Sequence, residues 1–402
     1  MAMLRRITIA YTINELGNAL GAVAIAVAVF DHTRSAVATA ALFISIFFLP
    51  ALLTTGGVAW LEQFGRKRTL AALYAAQAAT TGGLAALVLH PVLGPILALA
   101  AIDGLAALVS RALLRAVVSQ EAGDDATRRR ANGFLNIGWA ATGALGPAVG
   151  GALTGALGPT DVLLIDVASF GATALLMLGV PPPSVGDMRG RVIDQLRTVR
   201  HYVAETPVLG WLLGTEAVAL VFFSAVVPVE VVFVKATLRA SDAGYGALLA
   251  AWGAGMFLGS GIFARARRRP LGSLLTVSTL AVAVAYLGVA ISTALWVACA
   301  FSFVGGTGNG IQWISLITSV QEQTPRDLQG RLMGVVESMA AFCLAVGFSL
   351  GGAVAAIFNP RVTFFMAGGV ALAATLAFAR FAIRTRRPHL QHANASASEP
   401  AS

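Results

Sequence analysis

Two apolar runs, over residues 36–60 and 70–89, are joined by a short connection from Trp60 to Leu70. Its centre is Gly65, Arg66, Lys67 and Arg68. Each run reaches the length of about 20 apolar residues that crosses a bilayer core. A cationic turn this tight joins antiparallel membrane helices and marks the side on which it stays. The same pattern returns at Arg265 and Arg267–Arg269, between apolar runs over 242–264 and 271–291. Few folds satisfy that alternation.

Twelve apolar runs fall near 6–30, 36–60, 70–89, 94–120, 131–157, 161–180, 208–234, 242–264, 271–291, 294–320, 331–357 and 361–384. They predict an all-α integral membrane protein of two six-helix bundles, over residues 1–180 and 208–385. Residues 181–207 form a connection. Within it, segment 190–204 (Arg191, Val192, Leu196, Val199, Arg200, Tyr202, Val203) has the spacing of an amphipathic surface helix. Residues 386–402 are rich in Ala, Ser and His and are expected to be disordered.

Composition removes the soluble classes. The chain is 57% hydrophobic and 12% charged, against about 25% charged in soluble domains. Its net charge of +9 does not point to nucleic acid, because most of the arginines sit in short connections between apolar runs. Cys299 and Cys343 lie inside such runs and read as small hydrophobes. No metal-ligand spacing, nucleophile elbow, redox pair or phosphate-binding Gly-rich loop is present, so neither a cofactor nor enzyme chemistry is expected.

Lysine and arginine set the orientation. With the N-terminus inside, the inner connections hold Arg5, Arg6, Arg66, Lys67, Arg68, Arg128–Arg130, Arg189, Arg191, Arg197, Arg200, Arg265, Arg267–Arg269, Arg326, Arg331 and the arginines of the tail. The outer ones hold only Arg34, Lys235, Arg239 and Arg361. Both termini are therefore expected in the cytoplasm, across the inner membrane. The first apolar run carries Asn14, Glu15 and Asn18 and reads as a retained helix rather than a signal peptide.

An internal repeat has an offset of 201 residues. It carries Glu15 to Glu216, Arg66–Arg68 to Arg267–Arg269, Gln120 and Glu121 to Gln321 and Glu322, Arg130 to Arg331, Gly146 to Gly347, and Gly150–Ala152 to Gly351–Ala353. Parallel six-helix halves joined by a long cytoplasmic connection are the plan of rocking secondary transporters.

From Val58 to Lys67 the chain resembles the signature between helices two and three of the major facilitator superfamily. Glu62 stands for the usual acid, Gln63 for the usual arginine, and the first glycine falls one place early at Gly57. The resemblance makes Glu62, Gly65, Arg66 and Lys67 a gating motif. The run Gly146, Pro147, Ala148, Val149, Gly150 and Gly151 resembles that superfamily's antiporter motif, with Thr142 where a glycine is common. Arg130–Gly133, Leu164–Phe170 and Gln321–Pro325 with Gln329–Arg331 are similar to its macrolide-efflux and enterobactin-exporter branch. The resemblance implies export of an amphipathic drug-, macrolide- or siderophore-like compound by alternating access and proton antiport, by a protein acting as a monomer. The alternatives are a uniporter or importer of a small metabolite, or a membrane sensor that transports nothing.

A charge at the centre of a membrane helix costs about 3 kcal/mol, which makes it a functional candidate. Glu15 lies about nine residues in from Arg6, roughly 14 Å along the axis. Arg111, about ten residues from Glu121, sits at similar depth. Two readings stay open: Arg111 is the partner that Glu15 exchanges for a proton, or the two form a permanent ion pair between helices one and four. Glu216 is the repeat partner of Glu15 and is expected to face Gln312, which matches Arg111.

The candidate substrate cavity holds Tyr11, Asn14, Asn18, Phe47, Arg115, Trp139, Phe222, Asn309, Gln312 and Trp313. The bland alternative is that such residues face lipid or hold helices together. Glu230 and Lys235 suit a gate or a local pair, and Asp103 and Asp166 read as outer positions, Asp166 as structural.

Overall fold

The structure of the chain is a computed structural model. It describes residues 2–50, 69–121, 135, 141–142, 145–180, 201–266 and 269–397. Twelve helices of 8 residues or more lie among them. We number them α1 (Ala2–Thr33), α2 (Ala36–Phe43), α3 (Thr69–Leu89), α4 (Leu93–Glu121), α5 (Leu145–Leu157), α6 (Pro159–Met177), α7 (Pro207–Val232), α8 (Asp242–Arg265), α9 (Leu271–Ile291), α10 (Leu295–Glu322), α11 (Arg326–Ile357) and α12 (Pro360–Ala397). Helices α1–α6 form one half and α7–α12 the other. Residues 201–205 are helical, at the end of the expected surface helix; the remainder of that segment lies outside the described residues.

Helix starts and stops follow local chemistry. Ser35 caps α2 by accepting from the Ala38 N–H, and Ser241 caps α8 by accepting from the Gly244 N–H. Gly158, at φ 89°, with Pro159 at the first position of α6, turns the chain between α5 and α6. Two helices end in π turns: Ile44–Phe48 extends α2 and Phe233–Thr237 extends α7. Such turns bulge the backbone and often mark functional positions.

Nine of the described helices are long and apolar enough to cross a membrane. Helices α2 and α5 are shorter as described. Helix α10 is long but interrupted by Ser302, Thr307, Asn309 and Gln312. Large side chains such as Leu175, Phe257 and Trp296 are more than two-thirds exposed, as residues facing lipid are. Helix α12 runs on to Ala397, past the end of the apolar run at 384 and into the segment from 386 expected to be disordered.

Small residues close the seams, because lipid supplies no hydrophobic drive and only close van der Waals approach holds membrane helices together. A β-carbon on Gly306 of α10 would lie 1.9 Å from the Trp252 carbonyl oxygen of α8. Between the halves, Gly151 of α5 meets Gly246 of α8, and Gly352 of α11 meets Ala36 and Ala40 of α2. Phe348 of α11 packs at 5.7 Å and 6.0 Å from the rings of Phe43 and Phe47. All these contacts between halves lie toward the end of the molecule that carries Lys235.

Candidate functional site

The buried face of α1 carries Tyr11, Asn14 and Glu15. Opposite it, Gln77 of α3 is fully buried and its Nε2 donates to Ser110 Oγ of α4 at 3.4 Å. Among the described residues nothing donates to Gln77 Oε1 or Asn14 Oδ1. Tyr74, also fully buried, lies beside Ser110 and within electrostatic reach of both Glu15 and Arg111. The two residues of the expected pair thus share a neighbourhood around one tyrosine. Arg111 itself donates from Nε to the Ala107 carbonyl one turn back, at 3.2 Å.

Farther along the same half is a cavity of about 130 Å³, lined by Asn18, Phe47, Thr81, Asp103, Arg111 and Asp166 among others. Thr80 and Thr81 donate to Asp103 Oδ1 at 2.7 Å and 3.4 Å. Ser169 donates to Asp166 Oδ1 at 3.1 Å. Asp166 presses onto α1 where α1 has no side chains: a β-carbon on Gly21 would stand 2.5 Å from Asp166 Oδ2. Asp103 and Asp166, expected in the outer portions of their helices, thus line one cavity. Gly17 and Gly21, four residues apart on α1, are the signal in the sequence that makes room for Asp166.

In the other half, Gln312 Nε2 donates to Glu216 Oε2 at 3.4 Å, the contact that the repeat leads one to expect. Farther along the same half the interior is aromatic. Trp252 stacks on Tyr286 at 5.6 Å and 18°, Phe223 lies 5.6 Å from Trp252, and Phe364 lies 4.9 Å from Phe233. Glu230 lies within electrostatic reach of Tyr245 and Tyr286. Phe222 and Asn309 are half-buried, whereas Trp313 is 39% exposed.

At the junction of the halves, Lys235 in the π turn after α7 donates to Asp31 Oδ2 at 2.6 Å and to Asp242 Oδ1 at the start of α8. Arg34 stands 3.6 Å from the other Asp31 oxygen. Lys235 therefore ties α1 to α7 and α8 and makes no ion pair with Glu230. Asp31 and Asp242 carry nothing distinctive in the sequence, since one follows an apolar run and the other begins one, where charge is ordinary.

The antiporter-like motif lies at the same junction. Gly146 and Gly150 bring α5 onto Ala19 and Leu20 of α1, and Gly151 brings it onto α8. Pro147 leaves its carbonyl oxygen within 2.7 Å of where a β-carbon of Gly246 would be. The gating motif (Glu62, Gly65, Arg66, Lys67), Trp139 and the side chain of Arg115 lie outside the described residues. Among the described residues no group of three or more His, Cys, Asp or Glu is placed to hold a metal ion.

The fold has solved counterparts. The nucleoside transporter NupG superposes with a TM-score of 0.70 at 14% identity, over 94% of this chain and 99% of that one. A bacterial homologue of the iron transporter ferroportin in its inward-facing state gives 0.72 at 14% identity, over 94% and 98%. A D-xylose-proton symporter gives 0.67 at 13% identity, over 93% and 96%. No curated protein matches the chain in sequence. The family model of the Major Facilitator Superfamily matches residues 7–345 and 212–402. With two six-helix halves meeting at small-residue seams, the chain is a multi-pass membrane transporter that belongs to the Major Facilitator Superfamily.

Proposed function

We propose that this transporter exports bulky amphipathic compounds by alternating access, driven by proton entry. The observation that carries the reading is the junction between the halves. Lys235 holds Asp31 and Asp242, and the Gly151–Gly246 and Gly352–Ala40 contacts close the same end. Closure at one end by one bridging lysine over a small-residue seam is what two rocking bodies need, since a few contacts made in one state and broken in the other set the balance. The lysine and arginine asymmetry of the connections favours the Lys235 end as the outer one, which makes the closed end the outer end and puts both termini in the cytoplasm.

Within that scheme residues 1–180 form the coupling half and 208–385 the substrate-facing half, joined through 181–207. Glu15 carries the exchangeable proton, with Arg111 as its switching partner and Glu216 as the secondary acid. Apolar and aromatic walls with few charges suit a bulky amphipathic compound better than a sugar or phosphate. The efflux-like motifs favour export, from the inner membrane and as a monomer, over uptake of a metabolite.

The test is efflux of a mixed panel from an exporter-deficient bacterium. The panel holds macrolides, cationic dyes, tetracycline-like compounds and catecholate siderophores. Expression of the chain lowers accumulation of one class, and an uncoupler or Glu15→Gln abolishes that effect. Accumulation that stays low in the presence of the uncoupler removes proton coupling. A membrane-inserted chain that lowers nothing removes export from this panel.

A further inference from the structure

On the lipid-facing side of the first half, α3 and α6 leave a groove of about 510 Å³ between them. Ala71, Ala72 and Ala75 of α3 line one wall, Gly171, Ala174 and Leu178 the other. Leu175, also at the groove, is 70% exposed. The volume falls within the roughly 300–1,000 Å³ of ligand sites. Small residues on facing membrane helices normally bring helices into close contact. At Gly171 that rule fails: a β-carbon there would meet no neighbour within 4 Å. Glycine weakens a helix interior, so close packing does not account for this one.

The mouth of the groove carries a cation. Arg6 Nη2 of α1 donates to the carbonyl oxygen of Leu178 at 2.7 Å. That contact satisfies one open carbonyl at the end of α6 and uses one of the five N–H donors of the guanidinium. Arg6 is half-buried, and its Nε is buried with no acceptor among the described residues. None of the ion pairs among those residues includes it. A buried donor without an acceptor is costly, and a cation at a membrane surface attracts anionic lipid. The groove spans about two turns at the start of α3 and about two at the end of α6. That is about 10 Å of helix, against about 15 Å for one leaflet's share of the hydrocarbon core. The lysine and arginine asymmetry favours this end as the cytoplasmic one. In the sequence, Thr69 at the start of α3 follows directly on Arg66, Lys67 and Arg68.

We infer that this groove binds one anionic phospholipid of the cytoplasmic leaflet, with an acyl chain along Ala75, Gly171 and Ala174 and the phosphate on Arg6. An acyl chain is narrow and apolar, as a strip walled by alanine and glycine and open to the bilayer requires. The phosphodiester supplies the acceptors that the Arg6 guanidinium lacks, in a geometry that guanidinium groups favour. The bound lipid joins α1 to α3 and α6 within the first half. The repeat matches Arg6 to Pro207 and Gly171 to Leu372, so the second half has neither the cation nor the glycine. The inference stands apart from the cargo and the direction of transport.

The test places the full chain in phosphatidylcholine vesicles with a trace of phosphatidylglycerol that carries a photoreactive acyl chain. Fragment masses after illumination locate the adducts. The expected labelling is concentrated on 71–75 and 171–178. Unlabelled phosphatidylglycerol suppresses it, whereas added phosphatidylcholine and inorganic phosphate do not. Gly171→Leu fills the groove and Arg6→Gln removes the cation. Each lowers the labelling by about fivefold, the scale of one lost charge-assisted contact. Arg6→Lys restores part of it, and Arg361→Gln, at the start of α12, leaves it unchanged. Labelling spread evenly over the lipid-facing helices, or equal competition by phosphatidylcholine, overturns the inference, because bulk lipid then explains it. Labelling that both variants leave intact overturns it too. Inorganic phosphate that displaces the probe as well as phosphatidylglycerol does overturns the lipid assignment. Arg6 also caps α6; should Arg6→Gln unfold, Gly171→Leu, whose side chain enters open space, decides alone.

Discussion

The two halves share a backbone plan but not an interior. In the first, α1, α3, α4 and α6 enclose Glu15, Tyr74, Gln77, Asp103, Arg111 and Asp166. In the second, the offset of 201 puts Glu216, Leu275, Ser278, Val304, Gln312 and Ala367 at those places. Only the first acid is kept. The second half instead carries Phe223, Trp252, Tyr286 and Phe364 where the first has Ala22, Ala51, Ala85 and Leu163. Duplication explains the shared plan, and the divergence suggests a division of labour. The first interior is lined by acids and an arginine, the second by stacked and tilted aromatic rings, and the proposed export assigns the ion to the one and the compound to the other.

The largest effect expected from that division is on driving force. Glu15→Gln removes uphill efflux altogether while leaving substrate exchange within about twofold of the parent, the energy for pumping being lost and the route kept. Flux assays with and without an imposed pH gradient separate the two quantities. Equal loss of both would mean that the acid serves the route itself.

Next comes the junction that both halves must make and break. Lys235→Met leaves Asp31 and Asp242 facing each other without their shared cation. It should move the balance between end-closed and end-open states by about tenfold, within the usual 1–3 kcal/mol of a conformational coupling. Labelling of a cysteine placed at Asn359, beside this end, measures it; an unchanged labelling rate would reduce the lysine to decoration.

On the aromatic side, Trp252→Ala takes away the ring stacked on Tyr286. A contact of that kind is worth about 1 kcal/mol, so apparent substrate affinity should fall by about fivefold while coupling to the gradient stays intact. Concentration dependence of efflux gives the answer, and an affinity equal to the parent's would move the binding surface elsewhere. The smallest effect is expected at Thr80→Val. It deletes one hydrogen bond to Asp103 and should cost about 1 kcal/mol of stability, visible as a lowered melting temperature.

Much of this was legible in the residues, and the limits have physical causes. The spans were legible because a bilayer demands length and apolarity whatever the packing. The repeat preserved Glu15 and Glu216, and the match of Arg111 to Gln312 led to the Gln312–Glu216 hydrogen bond. The glycines around Pro147 read as a close helix contact. That they touch both α1 and α8 needed three dimensions, since a small-residue stripe does not say which helix it meets. The outer depth of Asp103 and Asp166 could be read from their helices, but not that they line one cavity, because helix spacing relates residues on one helix and is silent across two. Lys235 paired with Asp31 and Asp242, not with the acid nearest in its own helix. Residues five apart, as Glu230 and Lys235 are, point to different faces of a helix.

The most direct test of the division between halves is a side-by-side assay of Glu15→Gln and Trp252→Ala in proteoliposomes. Gradient-driven transport and substrate exchange would be measured on the same preparations with a compound drawn from the panel. The account predicts that Glu15→Gln exchanges but does not pump, and that Trp252→Ala pumps but with weaker apparent affinity. A Glu15→Gln protein that still pumps against a gradient, or a Trp252→Ala protein that loses pumping at unchanged affinity, would contradict it.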